Sequence, residues 1–562
     1  MPRRGRKRRQ PRSVDSPHTL STPEREIPSA PAEILSAPAQ DRVPAGDSLF
    51  VLSSQLAVGG GARDGGQVAA PSLKEAQRRP LRWSTVVHVP ATGAAHDGAS
   101  LRRSVPESDP GASIPSPHLP AAREPVSRAA AEPQPELAHP AEGTLIIEQT
   151  IARLAALSIF GLCAAIIFTL RWENVDYYWY RPLLNAYSVG VATFILSRFV
   201  VALFYRPPRD VGIEPSVSVI ITAFNEEDSI YRTVACCFAA DYPRAKLEVI
   251  AVDDGSSDGT YLEIQRAKRS WSDLVVERFH RNKGKRDAMA AGARRARGEV
   301  LVYVDSDSFL RRDGLRKIVQ GFADPEVAAI SGHTDVANAH TNMLTRMQDV
   351  RYYVAFRVMK AAESVFGAVT CCPGCFSAYR RSCVLPVLDP WLHQRFLGVR
   401  ATFGDDRSLT NFLLRKYRVI YSSEAVATTI VPEHHRKFLK QQLRWKKSWL
   451  RECLIAATFM WKKHPLAVIA FYAQLVFPII APLLLLRAFV WLPLVAGDLL
   501  SMAIYAFGVV MIGMIFSSYY LFWRANGSWI FGAYFTIYYM FVLVWQMPYA
   551  IATSRDNRWG TR

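Results

Sequence analysis

Residues 217–260 read VSVIITAFNEEDSIYRTVACCFAADYPRAKLEVIAVDDGSSDGT, and the fold class turns on them. Apolar, β-branched runs at 217–222 and 247–252 are bounded by polar turns, as strands are. Between them, 229–239 carries its apolar residues at helical spacing. The alternation continues with strands at 274–278 and 300–304 and helices at 259–271 and 285–297. Strand–helix repetition of this kind predicts right-handed βαβ units and a parallel sheet with helices on both faces. Such sheets bind ligands beyond the carboxyl ends of their strands, and that is where this sequence places its acids.

The first strand runs into Asn225-Glu226-Glu227 and the second into Asp253-Asp254-Gly255-Ser256. A carboxylate at such a turn can accept from a uracil N–H or a ribose hydroxyl. A plain strand-to-helix turn, capped by Ser257 or Asp258, accounts for the same residues. The fourth strand ends in Asp305-Ser306-Asp307. Two carboxylates one residue apart point the same way and repel unless a cation or hydrogen bonds intervene. Hard oxygen ligands of this kind suit Mg²⁺ or Mn²⁺ held together with substrate phosphates. Between these two acidic turns Lys283, Lys285 and Arg286 stand at a helix start, where free backbone N–H groups add to an anion site; a solvated charge run is the bland alternative.

Farther on, Asp405 and Asp406 occupy the first turn of a helix. The macrodipole favours acids there in any case, but one of them could serve as general base for an acceptor hydroxyl. Gln441, Arg444 and Trp445 stand at i, i+3 and i+4 and so share a helical face. An indole offers a flat surface to a sugar ring, and a guanidinium offers a fork to diphosphate. An amphipathic helix lying on a membrane, with Lys446, Lys447 and Arg451 toward headgroups, explains the same stretch. The two readings can hold on different faces.

Around this core the composition shifts twice. Residues 1–142 are rich in Pro, Ala, Ser and Arg and cannot bury enough apolar surface to fold, so a disordered tail is expected. The twin arginines Arg3 and Arg4 precede polar residues, unlike an export signal. The net charge of +19 fits an anionic membrane surface; the tail lacks the interleaved aromatics of a nucleic-acid binder, and no nucleic acid is expected as a partner. Apolar runs at 144–170 and 183–205 predict a transmembrane hairpin within 143–206, with Tyr178, Trp179 and Tyr180 as an interfacial belt. The α/β domain follows at 213–432 and amphipathic interfacial helices at 433–464. A second membrane region at 465–552 holds candidate spans at 465–486, 489–523 and 529–551. That makes five crossings, or six if the middle run breaks near Gly497-Asp498. Arg555, Arg558 and Arg562 in the closing segment 553–562 favour an even number. A charged product would need a polar path, for which Arg487 and Asp498 are candidates. The eight cysteines include adjacent pairs, as in a reducing compartment. Cys372 and Cys375 have metal spacing but no second pair to match, so a zinc site is not expected.

Taken in order, VDDGS at 252–256, DSD at 305–307, GCFSAYR at 374–380, GDDR at 404–407 and QQLRW at 441–445 resemble the processive family-2 glycosyltransferases. This is the group with hyaluronan, chitin and cellulose synthases. The likeness spans residues 150–562 and is nearest to hyaluronan synthases, through GDDRSLTN at 404–411, QQLRWKKSWLRE at 441–452 and the terminal WGTR. The segment CPGCFSAYR at 372–380 is nearer the chitin synthase form.

The resemblance implies a GT-A-type (Rossmann-like) cytoplasmic catalytic domain set between transmembrane helices of the plasma membrane. It implies UDP-sugars, UDP-GlcNAc and UDP-GlcA, as donors to a growing polysaccharide that is extruded across the lipid bilayer. Asp254 would then hold the uridine and Lys285 the diphosphate. Asp305 and Asp307 would bind the nucleotide and a Mg²⁺ or Mn²⁺ ion, Asp307 more directly. Asp406 rather than Asp405 would be the base, with Trp445 beneath the acceptor sugar and Arg444 at the leaving group. Glu226, Arg286 and Gln441 join the substrate site, Gly374 and Cys375 line the acceptor side, and Trp559 belongs to a gating loop. The alternatives are a chitin or chitooligosaccharide synthase using UDP-GlcNAc only, a transferase making a lipid-linked monosaccharide, and a non-catalytic membrane binding protein that kept the fold.

Overall fold

The structure is a computed structural model that describes residues 142–178 and 182–556, with side chains for 148–169 and 186–556. The tail, Trp179, Tyr180 and the terminal WGTR with Trp559 lie outside the described residues.

The described residues include ten strands: β1 (Val217–Ala223), β2 (Leu247–Asp253), β3 (Val275–Arg278), β4 (Val300–Asp305), β5 (Ser308–Leu310), β6 (Val327–Val336), β7 (Ser377–Arg380), β8 (Arg395–Phe396), β9 (Val399–Arg400) and β10 (Arg418–Thr429). Eight of them form one sheet in the order β3-β2-β1-β4-β7-β6-β10-β5, and β8 and β9 make a separate small hairpin. In β1, Val217, Val219 and Ile221 pack into one apolar cluster and Ile220 into another on the opposite face. Burial on both faces explains why the strand reads as an unbroken apolar run.

The sheet is mixed, where alternation alone predicts a parallel one. β1 pairs in parallel with β2 and β4, whereas β7 runs antiparallel to β4 and β6, and β5 antiparallel to β10. The cause is where these two strands begin. β5 starts directly after Asp305-Ser306-Asp307 and β7 directly after Pro373-Gly374-Cys375, segments already at the carboxyl edge. From that edge a strand can only run back.

Helices Glu142–Tyr178 and Pro182–Leu203 form the expected hairpin. Among the described residues four helices are long and apolar enough to cross a membrane: Glu148–Thr169, Ala186–Leu203, Pro465–Leu494 and Leu499–Arg524. A fifth candidate, Phe531–Leu543 with Gln546–Ala552, is bent by 44°. Six crossings are not reached among the described residues. The region 489–494, assigned by sequence to the middle run, instead continues the preceding helix through a π turn at Arg487–Trp491, so the break falls at 495–498. Asp498 caps the following helix, accepting from Ser501 N at 2.9 Å, and Arg487 lies over Trp491. Neither lines the cleft described below. The ends of the spans rest on the sheet: Tyr205 donates to Tyr421 O at 2.9 Å, and Arg524 pairs with Asp335 of β6.

A candidate active site at the sheet edge

Register gathers the acids. Thr222 of β1 sits opposite Asp305 of β4, and Ala223 opposite Asp253 of β2, so three neighbouring strands end together. Their turns are tied to one another: Asn225, at φ 56°, accepts from Ser257 N at 3.0 Å, and Glu226 N donates to Thr260 Oγ1 at 2.7 Å. Beyond this edge lies a cavity of about 1010 Å³, at the upper end of the range for ligand sites. Glu226, Asp254, Lys285, Asp305, Asp307, Gly374, Cys375, Asp405, Asp406, Gln441, Arg444 and Trp445 all line it.

Asp254 is buried, and its two oxygens accept from Lys283 N at 2.7 Å and Gly284 N at 2.9 Å. Burial raises its pKa and these two N–H groups oppose the rise. The carboxylate thus fixes the loop that opens the Lys285–Arg295 helix. Lys285 reaches across to Asp305. Burial works to lower the lysine's pKa, but Asp305 and then Asp405 outweigh it and hold the amine charged.

Asp307 has no ion-pair partner among the described residues, since Lys285 sits on Asp305. Its carboxylate accepts long hydrogen bonds from Ser308 and Thr429, at 3.4 Å each. Burial, then the charges of Asp305 and Glu226, push its pKa well above the ordinary carboxylate range. This crowding of acids is what a divalent cation would relieve, so the donor set fits one. The described protein residues offer no group of three or more His, Cys, Asp and Glu that could hold a metal, so phosphates would have to complete the coordination.

At Gly374 a side chain would crowd the Lys285–Asp305 pair and make its ends move. A Cβ there would stand 2.7 Å from Asp305 Oδ1 and 3.0 Å from Lys285 Nζ. Gly404, at φ 75°, is similarly constrained, for its Cβ would fall 1.8 Å from Ser448 Oγ. The GDDR turn therefore rests directly on the His435–Met460 helix, the one that carries Gln441, Arg444 and Trp445.

The two acids of that turn have different surroundings. Asp405 is buried and bonded to Arg286 Nε at 2.9 Å. Asp406 accepts from its neighbour Arg407 N at 2.8 Å and from the Cys371 thiol at 3.5 Å. Arg286 itself does not reach the cleft, against the sequence expectation of a substrate-binding role. It is 2% exposed and also donates to Trp391 O and Gln394 Oε1, bracing the turn from behind. Arg286→Met should therefore act on stability. Removing one partner of a buried pair costs about 3–5 kcal/mol, which a lowered thermal midpoint of the purified protein would register.

The basic face of the His435–Met460 helix also departs from expectation. Lys446 lines the cleft, Lys447 pairs with Asp556 at 3.4 Å, and Arg451 is buried against Glu452 and Phe403 O. They do not face headgroups, because the Gln546–Ala552 helix and the GDDR turn cover them. Sequence reasoning also missed Arg351, Tyr352, Lys360, Gln474 and Tyr539 among the lining residues. Arg351 and Tyr352 lie in a helix of mixed character and Gln474 in a long apolar one, neither with a pattern that points at a site.

A mixed sheet, a carboxylate-rich strand edge and a basic, aromatic helix meet at one cleft. The profile of Glycosyl transferase family 2 matches residues 218–385. The chain belongs to that family: it is 30% identical over 382 residues to a hyaluronan synthase of Streptococcus pyogenes, covering 67% of this chain and 90% of that protein. An N-acetylglucosaminyltransferase of Azorhizobium caulinodans is 35% identical over 280 residues, 49% of this chain and 70% of that one. Among solved structures, a mannosyltransferase of Pyrobaculum calidifontis in complex with GDP-Man and Mn²⁺ aligns with 66% of this chain and 98% of its own, at 22% identity and a TM-score of 0.47.

Proposed function

We propose that this chain is a processive, inverting polysaccharide synthase, a hyaluronan synthase that adds GlcNAc and GlcA alternately from their UDP donors. The observation that carries this reading is the reach of a single cavity. It extends from Asp254 and Asp305 at the sheet edge, past Asp406 and Trp445, to Gln474 and Pro478 on the Pro465–Leu486 helix, which is long and apolar enough to span. A product made at one end has a route toward the bilayer at the other.

The uridine lies against Asp254 and the loop it fixes, with Lys285 and Arg444 toward the diphosphate. The acceptor sugar stacks on Trp445 and presents a hydroxyl to Asp406. The hydroxyl oxygen attacks the anomeric carbon as the bond to the diphosphate oxygen breaks; UDP departs and the proton passes to Asp406. Attack from the face opposite the leaving group inverts the anomeric centre. A Mg²⁺ or Mn²⁺ ion held by Asp307 with Asp305 would supply positive charge to the departing diphosphate.

The sequence relationship to a hyaluronan synthase supports the polymer. The N-acetylglucosaminyltransferase relative favours a second reading, a chitin or chitooligosaccharide synthase using UDP-GlcNAc alone. Topology follows from parity. Four crossings leave both the catalytic domain and the segment after residue 552 on the cytoplasmic side of the plasma membrane. The contact of Lys447 with Asp556 supports that arrangement, with the bent pair as a re-entrant piece.

The purified enzyme should make polymer only when UDP-GlcNAc and UDP-GlcA are both supplied, and the product should be digested by hyaluronidase. Polymer from UDP-GlcNAc alone, indifferent to UDP-GlcA and cut by chitinase, would replace this reading with the second.

A further inference from the structure

The acids of the cleft are confined to one end. Glu226, Asp254, Asp305, Asp307, Asp405 and Asp406 all stem from the strand edge or the GDDR turn, and no other acid lines the cavity among the described residues. Its cations are spread more widely. Lys285 is matched by Asp305, and Arg407 lies near Asp406 and Glu363. Arg351 and Lys446 are different. Arg351 leaves its NH1 buried without a hydrogen bond and lies over Trp445 at 5.6 Å and Phe535 at 5.3 Å. Lys446 has its Nζ over Tyr539 at 4.9 Å, and no carboxylate is among the groups that shift either residue. Burial, then the neighbouring Arg351, push the Lys446 amine down to about 7. Two cations held close together on aromatic faces, away from acids, carry a desolvation cost that an anionic ligand would remove.

We infer that Arg351 and Lys446 form a subsite for the carboxylate of an acidic sugar unit in the acceptor chain, beside the Trp445 platform. This rests on the synthase reading above and specifies which unit the acceptor side recognises. The carboxylate of a hexuronate projects from the edge of its ring. Arg351 lies over one part of the indole with Lys446 close to it, so a ring meeting the exposed part of Trp445 would bring its carboxylate near both cations. The guanidinium fork pairs two-pronged with the two charged oxygens of a carboxylate, a partner that a neutral N-acetylhexosamine lacks. The donor diphosphate has its own partner in Lys285 at the strand edge, so this pair is left for the acceptor. A neutral β-linked GlcNAc chain would leave both cations uncompensated, which is how the site would discriminate against it.

The test uses the full-length protein in lipid nanodiscs, with a hyaluronan hexasaccharide and chitohexaose as probes and calorimetry as the readout. The wild type should bind the acidic hexasaccharide at least about tenfold more tightly than the neutral one, the effect of one or two charged hydrogen bonds. Lys446→Gln and Arg351→Gln should each lose most of that preference, with affinity for chitohexaose and for UDP unchanged. Lys446→Arg should keep it. UDP affinity also reports whether a variant has folded; if Arg351→Gln loses it, the Lys446→Gln and Lys446→Arg pair decides. Equal affinity of the wild type for the two probes, or an unaltered preference in the Lys446→Gln variant, would overturn the subsite. The donor experiment stays separate. A wild type that needs both donors yet shows no preference sinks this inference alone, whereas polymer from UDP-GlcNAc alone sinks the synthase assignment beneath it.

Discussion

Asp406→Asn is expected to lower polymer synthesis by about 10²–10⁴-fold, the contribution of a positioned general base, while leaving UDP affinity and the thermal midpoint unchanged. The amide keeps an oxygen to accept from Arg407 N, so the helix start survives. It has no lone pair basic enough to take the acceptor proton. Asp254 keeps its bonds from Lys283 N and Gly284 N and Lys285 keeps its pairing with Asp305, so both, which face the nucleotide in this reading, should bind UDP as before. The neighbouring acid is the control. Asp405→Asn would strip Arg286 of its buried charge partner and should show itself first as lost stability. Measuring UDP release and thermal unfolding on both variants separates the roles. A 406 variant with near-normal turnover, or a 405 variant that is as stable as the wild type but inactive, would exchange or abolish them.

The contrast between these two acids shows where sequence stops being informative. β1, β2 and β4 were legible because strands buried on both faces leave unbroken β-branched runs, and the carboxyl-edge rule then located Asp254, Asp305 and Asp307. The shared face of Gln441, Arg444 and Trp445 was legible from helical spacing alone, and all three line the cleft. The division of labour between Asp405 and Asp406 was not, because it depends on Arg286, 119 residues away in the chain. Arg286 and Lys285 are adjacent and chemically alike, yet one faces the cavity and the other braces a loop behind it. No local pattern carries that difference. The membrane region was legible in part. The break at 495–498 falls where Gly497-Asp498 marked it, but a π turn at Arg487–Trp491 has the same apolar composition as the α-helix on either side, so hydropathy could not show that 489–494 belongs to the helix before the break. Arg351 was overlooked because a lone arginine in a helix of mixed character reads as surface. Only the fold brings it between Trp445 and Phe535.

Asp307→Asn should produce the other large loss, about 10³-fold in synthesis, equivalent to the several kcal/mol that a metal ion contributes to stabilising developing charge. The reasoning begins with stability. In the metal-free protein Asp307 is an electrostatic burden, crowded by Asp305 and Glu226 in a buried setting. The isosteric amide relieves that repulsion, so the variant should be at least as stable as the wild type when no divalent ion is added. A residue that costs stability and is kept for its charge is one whose charge is used in the reaction. The measurements are thermal unfolding with and without Mn²⁺ plus UDP, and Mn²⁺ titration in the presence of UDP. Wild type should be stabilised by the pair of ligands, and the variant should need roughly 10–100 times more Mn²⁺ for the same effect. Lys285 holds Asp305 in both proteins, so any residual metal response would come from Asp305 and the phosphates. If Asp307→Asn instead binds Mn²⁺ and UDP as the wild type does and keeps its turnover, the crowded carboxylate has no cation to serve. The strand edge would then be an anion site built from Lys285 and backbone N–H groups alone.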